Sequence, residues 1–295
     1  MQIREALNEY QNALLSIYDN NESRSISELV FMHVFNFSKA ALFANDNSVI
    51  NDERKQLLDK YLKRLLTGEP VQYVLGETEF YGLRLFVNKH VLIPRPETEE
   101  LVEWIIKEVR SRKSEVGSRK LLDIGTGSGC IPISIKKNIP ELDVYALDIS
   151  ADALKVAKQN AELNKVEINF IKTDILKQQT SVTLSEDEVT KQQTFNLIVS
   201  NPPYVRKSEM KQMHNNVLNY EPHLALFVED DDALLFYKHI ADFALQHLAP
   251  GGKLYFEVNE AMGNDVIEML NQKGFQNIIL KKDMYGKDRM IRCEL

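Results

Sequence analysis

At 295 residues, with 44% hydrophobic and 27% charged side chains, the chain has an ordinary globular composition and is long enough for two domains with a sizeable core. A net charge of −7 argues against a nucleic-acid backbone as main partner, because that binding needs clustered Lys and Arg. Cys130 and Cys293 are too few for a disulfide scaffold and lack metal-ligand spacing, so a reducing cytosol and no metal are expected; no stretch reaches the ~18 unbroken apolar residues of a membrane span.

Met1 to Leu15 carries Arg4, Glu5 and Glu9 among apolar residues, which predicts an amphipathic helix and not a secretory signal. Ser25 to Glu28 has the S-x-x-E form of a capping box ahead of the apolar run Leu29 to Phe37, and His33 in that run is expected as a packed core histidine. Leu57, Leu58, Tyr61, Leu62, Leu65 and Leu66 recur at helical spacing until Gly68 and Pro70 stop them. Residues 1–75 therefore predict a helical domain with no chemical motif. Alternation at Leu83, Leu85 and Val87, with glycines at 76 and 82, predicts a β-hairpin, so residues 76–93 are expected to link that domain to a second one over 94–295.

From Leu101 onward strands and helices alternate. Strands are predicted over Lys120–Ile124, Val144–Asp148, Ile168–Lys172, Phe195–Ser200, Lys253–Val258, Asn277–Lys282 and Met290–Glu294. Helical patterns separate the first five, which implies an α/β fold with a doubly wound, mostly parallel sheet; the last two are close enough in sequence to pair antiparallel at one edge. The polar, aperiodic segment Lys177 to Thr194 reads as an exposed, mobile insertion.

Two motifs carry the chemistry. The first strand runs into Gly125-Thr126-Gly127-Ser128-Gly129, where glycines let the backbone turn sharply and approach a ligand closely. Asp148 ends the next strand about twenty residues on, where a carboxylate can accept from both hydroxyls of a ribose. A dinucleotide site wants a glycine where Cys130 stands; the G-x-G-x-G form preceded by Asp123 suits S-adenosylmethionine, whose carboxylate and amine lie along such a loop. Asp174, after the third strand, either orders the adenine end or caps a helix.

The second motif, Asn201-Pro202-Pro203-Tyr204, ends strand Phe195–Ser200 at the carboxyl edge of the sheet, where doubly wound folds bind ligands. A planar amide or exocyclic amino nitrogen is a poor nucleophile because its lone pair is delocalised. The Asn201 side-chain oxygen and the Pro202 carbonyl can accept its two N–H groups, stabilise the positive charge that develops on it, and aim it in line with a methyl donor. The prolines stiffen the loop, and Tyr204 offers a ring face to the substrate and to a nearby cation. A methyltransferase acting on such a nitrogen is the expectation. The rivals are an adenine-N6 DNA methyltransferase, a non-catalytic binding module and an NAD-dependent oxidoreductase.

The run Val91-Leu92-Ile93-Pro94-Arg95-Pro96-Glu97-Thr98-Glu99, the upstream Gly68-Glu69-Pro70-Val71-Gln72-Tyr73 with Gly76 and Phe80, the glycine loop and the Asn-Pro-Pro-Tyr tetrapeptide occur in that order. Together they resemble the HemK-type peptide chain release factor glutamine N5-methyltransferases, the PrmC family, over nearly the whole chain. The resemblance implies a Rossmann-like methyltransferase fold, with a small N-terminal helical domain that recognises the substrate. It also implies a cytoplasmic enzyme that acts on the glutamine of the Gly-Gly-Gln tripeptide in class 1 release factors. Carried over by position, Gly125, Thr126, Gly127, Ser128, Gly129 and Asp148 would bind S-adenosylmethionine, with S-adenosylhomocysteine as product; Asp174, Ile175 and Asn201 complete the expected cofactor site. Asn201, Pro202, Pro203 and Tyr204 would hold the glutamine amide. The chain departs from the family at Ile175, where some members have an aromatic, and at Val228 and Glu229, where glycines are usual. The Pro94 to Glu99 segment has two readings, a rigid extended strip clipping the hairpin to the catalytic domain and a cover in which Glu97 or Thr98 lies over the cofactor pocket, and a mixture of the two is expected.

Overall fold

A computed structural model describes residues 1–111, 119–177 and 193–295. They group into two compact units, Met1–Glu77 with His214–Tyr220, and Thr78–Met213 with Glu221–Leu295. The polar stretch 177–194 lies outside the described residues except for Lys177, Gln193 and Thr194. Among the described residues, no helix is long and apolar enough to cross a membrane.

The first unit is helical: α1 (Ile3–Leu14), α2 (Asn20–Phe35), α3 (Lys39–Ala44), α4 (Asp52–Leu65) and α5 (Val71–Leu75). Ile3, Ala6, Tyr10 and Leu14 line the inner face of α1 at the spacing of successive turns. They meet Val30, Phe31 and Phe35 of α2, with Tyr10 edge-on to Phe31 at 5.5 Å between ring centroids. Arg64, near the end of α4, explains the Gly68-to-Tyr73 motif. Its Nε donates to Glu69 at 2.8 Å, and its other nitrogens donate to the carbonyls of Tyr73 at 3.0 Å and Val74 at 2.9 Å, which would otherwise be orphans at the end of a short helix.

Two expectations for this unit are corrected. Ser25 does not cap a helix. It lies inside α2, whose N-cap is Asp19, accepting from Asn21 N at 2.8 Å and Glu22 N at 2.9 Å. Polar residues three apart also occur inside a helix, and here the buried Glu28 pairs with Arg24 at 2.8 Å and with Lys39 at 2.7 Å. His33 is not enclosed in the core either: it is half-buried, with Nδ1 2.9 Å from Glu77 Oε1, a partner 44 positions away that helical periodicity cannot reveal.

Apart from Glu77, which belongs to the first unit, the hairpin of β1 (Glu77–Phe80) and β2 (Leu83–Phe86) opens the second unit, turning at Tyr81 and Gly82, both at positive φ, as a two-residue turn matched to strand twist requires. Helix α6 (Pro96–Ser111) follows, then β3 (Lys120–Ile124), α7 (Cys130–Asn138), β4 (Asp143–Asp148), α8 (Ala151–Asn164), β5 (Asn169–Lys172), β6 (Phe195–Ser200) and β7 (Val205–Arg206). After α9 (Asn215–Tyr220), which belongs to the first unit, come β8 (Phe227–Val228), α10 (Leu235–His247), β9 (Leu248–Glu257), α11 (Gly263–Gln272), β10 (Gln276–Lys282) and β11 (Asp288–Glu294).

The main sheet runs β10-β11-β9-β6-β3-β4-β5. Its β9-β6-β3-β4-β5 portion is parallel, and β11 lies between β9 and β10, antiparallel to both. Side-chain alternation splits each central strand between two cores. Leu121 and Val144 pack with Leu101, Ile105 and Ile133 on one face, while Leu122, Ile124 and Leu147 pack with Tyr237, Ile240 and Leu270 on the other. Burial on both faces explains why the strands read as near-continuous apolar runs. It also leaves the carboxyl ends of β3, β4, β5 and β6 side by side at one edge.

Candidate active site

At that edge the strand ends surround a cavity of about 290 Å³, near the lower end of the ~300–1,000 Å³ usual for small-molecule sites. The glycine loop between β3 and α7 forms one wall. Gly125, Gly127 and Gly129 all have positive φ, 77°, 54° and 80°. At Gly129 an added β-carbon would sit 2.9 Å from Ile133 Cδ1 and 3.2 Å from Ala157 Cβ, so glycine there is needed for packing against α8. At Gly125 and Gly127 an added carbon would meet nothing within 4 Å. Both glycines line the cavity, so a β-carbon at either would take up cavity space.

Asp148, at the end of β4, tightens this loop: Oδ2 accepts from Gly127 N and Oδ1 from Ser150 N, each at 2.8 Å. Burial raises its carboxyl above the ordinary range, and those backbone donors oppose the shift. Asp123, at the root of the loop, is 1% exposed, and neither of its oxygens, nor the Thr126 hydroxyl, has a hydrogen-bond partner. Burial pushes Asp123 up to about 7; the Thr126 hydroxyl, close by but outside good hydrogen-bond geometry, opposes the shift, and nearby Asp148 adds to it. An orphaned acid beneath a loop shaped around empty space fits a small ligand that carries a cationic group. Asp174 and Ile175 follow β5 and also line the cavity; Asp174 Oδ1 accepts from Leu176 N at 3.0 Å in a local turn, and Ile175 is buried.

The end of β6, beside β3, supplies another part of the lining. Ser200 Oγ donates to Ile124 O at 2.7 Å, fixing the strand beside β3, and Asn201, Pro202 and Pro203 then line the cavity. Tyr204 is not among the lining residues. Its hydroxyl turns inward and donates to Glu257 Oε1 at 3.2 Å, and burial raises its pKa further, ahead of the Glu257 charge.

The segment before α6 is not one extended strip. Pro96 begins a helix, its fixed φ suited to the first position and its missing N–H unneeded there. Thr98 therefore points in from the first turn and lines the cavity with Pro94 and Arg95, whereas Glu97 does not. Thr98 Oγ1 donates to Glu257 Oε2 at 2.6 Å and accepts from Asn201 Nδ2 at 3.3 Å. Glu257, at the end of β9, is 1% exposed. Burial raises its carboxyl, against the pull of the Thr98 hydroxyl, Arg289 and the Tyr204 hydroxyl. Arg95 donates to Glu221 Oε1 at 2.6 Å, and Glu221 Oε2 accepts from Ile93 N at 3.2 Å, which ties the segment before α6 to the cavity-lining stretch that begins at Pro222. Of these partners, Glu257 carries no sequence signal, and Glu221 stands out only within Tyr220-Glu221-Pro222.

The family models that match are the Methyltransferase small domain, over residues 103–221, and the PrmC N-terminal domain, over residues 5–76. The chain is 46% identical to the release factor glutamine methyltransferase of Flavobacterium psychrophilum over 292 residues, 99% of each chain. It is 40% identical to that of Bacteroides thetaiotaomicron over 281 residues, covering 95% of this chain and 96% of the relative. The chain belongs to the release factor glutamine methyltransferase family. Among solved structures, the hMettl16 catalytic domain in complex with MAT2A 3'UTR hairpin 1 shares the fold, with a TM-score of 0.54 at 16% identity over 85% of this chain and 83% of that one. For a release factor glutamine methyltransferase family member, the lining divides naturally into two parts: glycine loop, Asp148 and Asp174 in one, Asn201 to Pro203 in the other.

Proposed function

We propose that this chain transfers a methyl group from S-adenosylmethionine to the side-chain amide nitrogen of the glutamine in the Gly-Gly-Gln tripeptide of class 1 release factors. The observation that carries this reading is the Asn201 amide, tethered through its nitrogen to Thr98 in the cavity that the glycine loop also lines, which leaves Oδ1 as an acceptor. Gly125 to Gly129, Asp148, Asp174 and Ile175 would hold the cofactor, with Asp123 beneath them as the counter-charge. When bound, S-adenosylmethionine supplies an electrophilic methyl on a sulfonium.

The protein's own contribution is placement and charge. Asn201 Oδ1 and the Pro202 carbonyl accept the two amide protons, keep the nitrogen from turning, and stabilise its growing positive charge as the lone pair is drawn out of conjugation. The product nitrogen is acidic and gives its proton to water, so no side-chain base is needed. The helical unit, matched by the PrmC N-terminal domain model and contributing no cavity-lining residue, is the part assigned to recognition of the protein substrate. Mass spectrometry of a class 1 release factor incubated with the protein and S-adenosylmethionine should show one added CH₂ on the Gly-Gly-Gln peptide. Methylation of DNA adenine with the release factor left unmodified would overturn the reading.

The buried acid gives a second expected result. Asp123, pushed up to about 7, is partly protonated at neutral pH when the site is free. A cationic ligand favours the carboxylate and lowers that pKa, so binding expels a proton in the window between the two values. Affinity for S-adenosylmethionine should therefore rise as pH increases toward about 7 and level off above it. Calorimetry in buffers of different ionisation enthalpy reads the released proton directly, and a flat profile over roughly pH 5 to 8 would remove Asp123 from this role.

A further inference from the structure

An asparagine amide has two ends of nearly equal size, and half a turn about its Cβ–Cγ bond exchanges an acceptor for a donor. If the amide donor faced the substrate nitrogen, it would oppose the N–H groups it is meant to receive, so the orientation of Asn201 decides whether the site works. Asn201 Nδ2 lies 3.3 Å from Thr98 Oγ1, and Thr98 Oγ1 lies 2.6 Å from Glu257 Oε2. Thr98 and Glu257 are 2% and 1% exposed, out of reach of bulk water.

A hydroxyl has a single proton, and an ionised carboxylate can only accept. Burial raises the Glu257 carboxyl, but its other oxygen receives a second hydroxyl, that of Tyr204, at 3.2 Å, so both oxygens act as acceptors, and together with the positive charge of Arg289 these contacts oppose that rise. Glu257 therefore takes the Thr98 proton. Thr98 is left with lone pairs alone, and the only end of Asn201 it can receive is the amide nitrogen. Resting on the methyl-transfer reading above, we propose that Thr98 and Glu257 are positioning residues that set the orientation of the Asn201 amide, so that Oδ1 and not Nδ2 meets the glutamine nitrogen. Neither residue touches the reacting atoms. Their effect is to make the wrong rotamer of Asn201 place its oxygen against the lone pairs of Thr98, which is 2% exposed, and such an unpaired polar contact is costly at a buried hydroxyl.

The test uses the full-length protein and the variants Thr98→Val, which keeps the shape and removes the hydroxyl, and Thr98→Ser, which keeps the hydroxyl. With a class 1 release factor as substrate, the valine variant should lose about tenfold to a hundredfold in kcat, with KM for S-adenosylmethionine changed by about threefold or less, and serine should recover most of the rate. The side-chain amide of Asn201, labelled with ¹⁵N and assigned by its disappearance in Asn201→Ala, supplies a readout that needs no substrate. Its protons should exchange slowly in wild type and in the serine variant, and fast in the valine variant. A valine kcat within about twofold of wild type, or a serine variant as slow as valine, would overturn the proposal, since the hydroxyl would then be irrelevant. A wild-type amide that exchanges as fast as a free one would overturn it even if the valine variant failed to fold. Lack of any transfer by the wild-type protein to the release factor would count against the substrate reading alone, and the amide measurement would still decide the positioning role.

Discussion

Asn201→Ala is expected to lower the single-turnover rate of methyl transfer by about a hundredfold or more, ~2.7–4 kcal/mol, by analogy with deleting one preorganised donor from an oxyanion hole. Affinity for S-adenosylmethionine, read by calorimetry, should change far less, because the acceptor acts on charge that appears only as the nitrogen attacks. Asn201→Asp separates acceptor placement from mere loop structure. Aspartate keeps an oxygen in nearly the same place, and its negative charge favours the developing cation. It brings no proton for Thr98, however, whose own proton goes to Glu257, so its oxygen meets lone pairs where the asparagine nitrogen met them favourably. The expected order of rates is asparagine, then aspartate, then alanine. Aspartate no faster than alanine would show that acceptor placement is the wrong account of this position.

Asp148→Ala should weaken S-adenosylmethionine by about tenfold to a hundredfold, ~1.5–3 kcal/mol for losing hydrogen bonds to a charged acceptor. Asp148→Asn should be nearly as harmful despite its matching shape. Both carboxylate oxygens already accept a backbone N–H at 2.8 Å, from Gly127 and from Ser150. An asparagine has one oxygen to offer, so its amide nitrogen must confront one of those donors, and the loop must shift to relieve it. Isothermal titration of the two variants is the measurement; unchanged affinity in either would take Asp148 out of the cofactor site.

The parts of the site that were legible in the sequence are those specified by local backbone geometry. Glycines at alternate positions after a strand, an acid at the end of the next strand and Asn-Pro-Pro at the end of a third each announce themselves within a few residues, and the family resemblance joins them into one function. What stayed hidden is contact between distant positions. Thr98 and Glu257 are 159 residues apart, Arg95 and Glu221 126 apart, and nothing in either neighbourhood tells that they will meet. The Pro94-Arg95-Pro96 run invited an extended reading because proline breaks helices from within, yet Pro96 stands at the one helical position that suits it. Tyr204 reads as a ring offered to substrate, but the buried Glu257 provides a stronger claim on its hydroxyl than an open cavity does. The fold itself was more readable than its details. Burial on both faces makes parallel strands conspicuous, whereas Ser25 to Glu28 shows that a four-residue pattern cannot tell a helix start from a helix middle.

Asn160 has a consequence for how the second unit breathes. It is fully buried on α8; its Oδ1 accepts from Phe86 N at 2.6 Å, and its Nδ2 donates to Phe86 O and to Ser128 O, each at 2.9 Å. One side chain thus holds the last residue of the hairpin and the glycine loop at the same time. Freeing either partner strands polar atoms of Asn160 in a dry interior, a penalty that falls away only if the other partner is released as well. The hairpin and the loop are therefore one opening unit in the sense of hydrogen exchange, with Phe86 and the loop amides sharing a common free energy of exposure. A ligand that quiets the loop should slow exchange in the hairpin too.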